Sequence, residues 1–249
     1  IGEGSDRPQI LIVDDSADLR AHIIDNLEDR FLLYEAGDGK EGFDKSVEMV
    51  PDLIITDLVM PEMDGLEMCE KLKTDERTSH IPVIMLSSRT TVENRIEGLE
   101  KGADDYISKP FNMQELVVRI KNLIEQRKML REQFSRNVRL HPKDISITSE
   151  DEKFLCKTIA IIEEHINNFD FDVSKLTDKM ALSRVQLFRK LKALTDQSPS
   201  EFIRTIRLKR AAQLLDKGFG NIAEVTYQVG FNNLSYFAKC FRELFGICL

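Results

Sequence analysis

The sequence predicts two domains of different class: a doubly wound α/β domain with a five-stranded parallel sheet, then an all-α domain built on two helix-turn-helix units. Three observations carry this. Short apolar runs alternate strictly with amphipathic stretches over the first 125 residues, and from about residue 151 only helical spacing remains. The length, 249 residues, exceeds one ordinary domain. Charge divides in the same region: residues 1–125 hold 14 Lys and Arg against 28 Asp and Glu, a net of −14, whereas residues 126–249 hold 21 against 15, a net of +6. A basic segment on an acidic chain points to a polyanion partner for the second half only.

The elements follow in order. QILIV reads as a buried strand, and ADLRAHIIDNLEDR as a helix with Leu19, Ile23 and Leu27 at helical spacing. FLLYEA, DLIITD, PVIMLSS and DDYIS supply four more strands; KEGFDKSVEMV, GLEMCEKLK and TVENRIEGLEKG supply the helices between them. A last helix starts at Met113 and runs without a breaker to about Phe134. Such alternation requires right-handed crossovers. A Pro and several small polar residues then interrupt the pattern near 135–150, so the domains are expected at 8–125 and 151–249, with a helical extension and linker over 126–150.

The second half carries apolar stripes at Leu155, Ile159, Ile162 and Ile166, at Val173, Leu176 and Met180, and at Leu187, Leu191 and Leu194. Ser198-Pro199-Ser200-Glu201 is a capping box with Pro at the first helical position, opening a helix to about Asp216. Two further helices are expected near 221–229 and 233–245. Cys69, Cys156, Cys240 and Cys248 form no CxxC, and the four His show no metal-ligand spacing. With neither a signal peptide nor a long apolar run, the expected setting is a reducing cytoplasm with free thiols. The opening IGEGSDRP lacks a Met and reads as a fragment or tag remnant, outside fold reasoning.

The chemistry gathers at strand ends. Asp14 and Asp15 follow QILIV, Asp57 ends DLIITD, Ser87 follows PVIML and Lys109 follows DDYIS. In a parallel sheet these C-terminal ends share one edge, where α/β folds bind ligands. A lone Asp there is ordinarily a solvated loop residue, but four such features converging are not independent. Three neighbouring carboxylates disfavour one another's ionisation, so the cluster calls for a cation, and hard Mg2+ suits carboxylates plus a phosphate. Lys109 adds a phosphate-binding point charge and Ser87 a hydroxyl. The set supports phosphoryl transfer to a carboxylate, with Asp57 attacking and the metal and Lys109 neutralising the group transferred.

LIVDDS, LIITDLVMPEMDG, PVIMLSS and GADDYISKPF resemble the signatures of a response-regulator receiver domain, a flavodoxin-like fold. The resemblance implies Asp57 as phosphoacceptor, fed by a histidine kinase. It implies metal binding by Asp15, Asp57 and the Val59 carbonyl, with Asp14 acting through water. It further implies Ser87 and Lys109 on the phosphoryl group, Tyr106 as the switch aromatic, a cis Lys109-Pro110 peptide and self-association on phosphorylation. Ser88 departs from the pattern, which commonly has Ala there.

In the basic half, VSKLTDKMALSRVQLFRKLKALT and IAEVTYQVGFNNLSYFAKCFRELF each have helix-turn-helix form. Burying Leu187, Leu191 and Leu194 leaves Arg184, Val185, Gln186, Arg189 and Lys192 outward. Burying Phe237 and Phe241 leaves Leu234, Ser235, Ala238 and Lys239 outward. Two units with net positive charge favour double-stranded DNA over a plain bundle. FIRTIRLKRAAQLL and EVTYQVGFNNLSYFAKCFRELFG are similar to the AraC-type DNA-binding domain. Family members continue past the FG, whereas this chain stops at FGICL, so its final packing element is expected to be truncated.

Together the halves resemble the output portion of a hybrid two-component regulator, the cytoplasmic part of an inner-membrane sensor kinase. The expectation is a phosphorylation-controlled transcription factor that turns over no substrate. The rival is a Mg2+-dependent phosphohydrolase with Asp57 as nucleophile. Haloacid-dehalogenase-like phosphatases want a second Asp two residues on, where this chain has Val59.

Overall fold

A computed structural model describes residues 7–88, 101–136 and 148–247. It forms two compact units, residues 1–127 and 128–249. In the first, β1 (Gln9–Val13), β2 (Leu32–Ala36), β3 (Leu53–Asp57), β4 (Val83–Ser87) and β5 (Asp105–Ser108) form one sheet of order β2-β1-β3-β4-β5. Every pairing is parallel. The order reverses between β1 and β3, which opens a crevice beyond their C-terminal ends.

Strand alternation sends neighbouring residues into different layers. Leu11, Val13, Ile54 and Met85 join Met68, Cys69 and Leu72 of α3 (Gly65–Thr74) on one face. Ile10, Ile12, Leu53, Ile55 and Ile84 join residues of α1 (Ala17–Leu27) and α4 (Met113–Arg136) on the other. Central strands covered on both faces must be apolar throughout, which explains their unbroken runs. Ser16, Asp38 and Asp64 cap α1, α2 (Gly39–Met49) and α3. Helix α4 ends two residues beyond the expected Phe134. Most of the expected TVENRIEGLEKG helix lies outside the described residues.

The second unit is all helical among its described residues: α5 (Ser149–Glu164), α6 (Val173–Met180), α7 (Arg184–Thr195), α8 (Pro199–Asp216), α9 (Ile222–Gln228) and α10 (Leu234–Phe245). The Ser198 capping box is formed, as are boxes at Ser183 and Asn221. Ile166 is a correction to the first apolar stripe: α5 stops at Glu164, and Ile166 packs from the following turn.

Helix α8 feeds two cores. Phe202, Ile203 and Ile206 pack with α5, α6 and α7, while Leu208, Ala211 and Leu214 pack with α9 and α10. A helix buried on most sides along its length packs against both helix-turn-helix units. In the second unit's turn, Gly230 has φ +77°, and a Cβ there would stand 2.4 Å from the Ile166 carbonyl oxygen. Only glycine fits that approach without displacement.

Candidate functional site

The crevice gathers side chains from three strand ends. Asp14 follows β1, and its Oδ1 accepts from the Ser16 N–H at 2.8 Å. Its backbone carbonyl accepts from Arg20 at 2.7 Å, and Arg20 also pairs with Glu35. Asp57 closes β3. Lys109 follows β5 and places its Nζ 2.9 Å from Asp14 Oδ2 and 2.7 Å from Asp57 Oδ1. One oxygen each from Asp14, Asp15 and Asp57 lies within 4.8 Å of the others. Asp14 is buried, Asp57 is 9% exposed and Asp15 is exposed, so the cluster opens to solvent on one side.

Burial pushes the Asp57 carboxyl above its ordinary value; the Lys109 ammonium opposes this and the Asp14 charge adds to it. Burial works against the Lys109 charge, yet bonds to Asp57 and Asp14 raise its pKa overall. A lysine held between two buried carboxylates neutralises only part of their charge. Close packing supports the position: a Cβ on Gly65 would stand 2.0 Å from the Asp57 carbonyl oxygen, so α3 begins directly against the end of β3.

Three hard carboxylate donors at this spacing fit a small divalent cation such as Mg2+, which keeps several waters and takes one or two protein carboxylates. Val59 lies in the loop after β3 with its side chain half exposed. Ser87 ends β4 fully buried, its carbonyl accepting from the Lys109 N–H at 2.6 Å. Tyr106 is also buried, in the sheet layer shared with α3. The Lys109-Pro110 peptide is cis. Arg20 was invisible to sequence reasoning, because its hold on the Asp14 carbonyl depends on how α1 returns over β1.

In the helical unit Leu187, Leu191 and Leu194 are buried, as are Phe237 and Phe241. Arg184, Val185 and Lys192 are exposed on α7, with Gln186 and Arg189 partly covered. Gln186 Oε1 accepts from the Ser183 N–H at 3.0 Å, and the Lys192 ammonium stands 2.8 Å from Asp196. On α10, Leu234, Ser235 and Lys239 are exposed and Ala238 is partly covered. Lys190 lies on the inner side of α7, buried in a 2.6 Å ion pair with Asp151. Burial pushes the Cys69 thiol up to about 11, which makes it a packing residue. No helix of the described residues is long and apolar enough to cross a membrane.

The chain matches the family model of the response regulator receiver domain over residues 10–121 and that of a helix-turn-helix domain over 176–249. It is 46% identical over 241 residues to Histidine kinase P4 of Formosa agariphila, covering 97% of this chain but 18% of that protein. It is 32% identical to the transcriptional regulatory protein PrrA of Mycobacterium leprae, covering 69% of this chain and 68% of PrrA. A Francisella response regulator 1452 receiver domain matches with 34% identity and a TM-score of 0.46, covering 48% of this chain and 98% of that one. With a carboxylate-lined crevice on a parallel sheet, two helix-turn-helix units and matches to both halves, this chain belongs to the response regulators, a receiver domain followed by a helix-turn-helix domain of the AraC type.

Proposed function

We propose that this chain is a phosphorylation-controlled transcription regulator of a two-component system, with Asp57 as phosphoacceptor and the helical unit as reader of double-stranded DNA. The observation that carries it is the Lys109 ammonium bridging Asp14 and Asp57 at the open edge of the sheet. An Asp57 carboxylate oxygen attacks phosphorus in line; the O–P bond forms as the N–P bond of a phosphohistidine breaks, and the imidazole nitrogen takes a proton from solvent. Lys109 stays protonated and holds the incoming oxygens, and the Ser87 hydroxyl engages one of them. Asp14, Asp15 and Asp57, with the Val59 carbonyl, would hold Mg2+, which supplies neutralisation of carboxylate and phosphoryl charge.

Tyr106 is the switch aromatic. Engagement of Ser87 shifts the equilibrium around Tyr106, and the altered surface strengthens self-association. On the DNA side, Arg184, Val185, Gln186, Arg189 and Lys192 face one major groove, and Leu234, Ser235, Ala238 and Lys239 face the next. The chain spans less than a fifth of the Formosa histidine kinase. That supports a donor kinase on the same polypeptide, with this chain as its cytoplasmic output portion.

Acetyl phosphate with Mg2+ should add one phosphoryl group per chain by intact mass, at Asp57, and Asp57→Asn should abolish it. An Asn variant phosphorylated to the wild-type extent would remove Asp57 from the role. Continuous release of phosphate from an added ester, in place of one stoichiometric modification, would favour a hydrolase.

A further inference from the structure

Between the two helix-turn-helix units lies an open cleft of about 300 Å³. Its polar lining is mostly cationic, hydroxyl and amide: Ser200, Arg204 and Arg207 from α8, Asn232 from the turn before the second reading helix and Tyr236 from that helix's first turn, with Asp172 the one carboxylate. Arg204 is clamped by its Nη1, which donates to the Tyr236 hydroxyl at 3.0 Å, so its other N–H groups are held in a fixed orientation. Arg207 is anchored from behind, its Nη2 donating to the Asn168 carbonyl at 2.6 Å, and its buried Nε has no hydrogen-bond partner. Burial lowers the Arg207 pKa. The carboxylate at the rim, Asp172, is engaged as the N-cap of α6, accepting from the Lys175 N–H at 3.1 Å.

Position decides what anion fits. Asn232 precedes and Tyr236 lies in the first turn of the second reading helix, the part of such a helix that approaches base edges. The other wall is the start of α6, and in helix-turn-helix units the leading helix crosses the backbone. The cleft therefore lies between the DNA-facing ends of the two units, where the backbone crosses from one groove to the next. Two fixed guanidinium groups with hydroxyl and amide donors suit the tetrahedral oxygens of a phosphodiester.

We propose that this cleft binds a backbone phosphate of the DNA strand passing between the two grooves, with Arg204 as its principal contact. This rests on the DNA-reading function above, and it adds a contact that neither reading face supplies. A phosphate here fixes the register of both heads at once without reading sequence.

The test is the salt dependence of duplex binding by the full chain, measured by fluorescence anisotropy on a duplex selected from random fragments and on an unselected one. Arg204→Gln should weaken both several-fold and reduce the slope of log K against log salt by about one. Ser200→Asp sets a carboxylate at the cleft mouth while suiting the helix N-terminus, so it should fold normally and weaken both duplexes too. Arg189→Ala serves as the contrast, losing the selected duplex preferentially. If both cleft variants bind with wild-type slope and affinity while Arg189→Ala loses selectivity, the cleft assignment falls and the DNA reading stands. If the wild-type chain shows no salt-dependent binding to either duplex, both fall. Inorganic phosphate titrated at constant ionic strength separates the sources. Saturable binding that shifts the Arg204 Nε–H resonance, with DNA slopes unchanged in Arg204→Gln, would make the site one for a free anion and overturn the proposal.

Discussion

Asp57 occupies a position where burial and function oppose each other. Burial raises its pKa above the ordinary value of 3.8 even with Lys109 alongside. Between the ordinary and the raised value the native chain keeps a proton that the unfolded chain has released, so native stability falls as pH rises through that window. Asp57→Asn removes this penalty. In metal-free buffer the variant should melt a few degrees higher than wild type at neutral pH, the gap closing as pH drops below the ordinary carboxylate value. Thermal melts across that range are the check; a variant melting lower at neutral pH would mean that the Lys109 pair outweighs the burial. Lys109 loses stability in the same direction with pH, but its contribution at neutral pH is favourable. Its raised pKa contributes stability that is complete below the ordinary 10.5 and lost only as pH rises through the raised value.

At the scale of elements, the first reading helix is fixed by more than its apolar stripe. Lys190 and Asp151 are 3% and 0% exposed in their side chains, and the ammonium sits 5.6 Å from the centroid of the Phe154 ring. This pair ties α7 to the first turn of α5. Lys190→Met should destabilise the helical unit by about 3–5 kcal/mol, because it removes the counter-charge of a buried carboxylate. Asp151→Leu combined with Lys190→Met should recover most of that loss, since an apolar pair of similar volume avoids the desolvation cost. Urea denaturation of the two variants measures both, and equal losses in each would show that the pair's worth is not electrostatic. The pattern of residues 184–195 made Lys190 look like any other basic residue of the stretch. Its inward position follows from the phase of Leu187, Leu191 and Leu194, but its partner lies 39 residues away.

At the scale of the molecule, α8 sets the distance between the reading heads. Its 18 residues span about 27 Å at 1.5 Å per residue, against about 34 Å between successive major grooves on one side of the duplex. The ends of α7 and α10 would make up the difference. Each chain should therefore protect roughly two helical turns of DNA from cleavage, and a dimer on a direct repeat about twice that. A footprint confined to one turn would remove the second unit from DNA. Beryllofluoride with Mg2+ should raise the sedimenting mass of the wild-type chain and leave that of Asp57→Asn unchanged; equal sedimentation of wild type with and without it would count against phosphorylation-driven assembly.

The sequence by itself determined the fold class and the placement of Asp14, Asp57, Ser87 and Lys109 on one edge, because parallel strands with buried faces must be apolar and must end on the same side. It also determined the helix from Pro199 to Asp216, since capping boxes are local, and it marked the outward faces of both reading helices through their apolar phase. Tertiary structure decided what depends on residues far apart in the chain. The Lys109 bridge joins side chains 95 residues apart, the hold of Arg20 on the Asp14 carbonyl depends on how α1 packs, and Tyr106 is buried by a layer it shares with α3. The clamp of Tyr236 on Arg204 spans 32 residues and the Asp151–Lys190 pair 39, and no period of 2 or 3.6 residues encodes either. Periodicity reports which face of an element is apolar, whereas the identity of the residue met across an interface is fixed only when the elements pack.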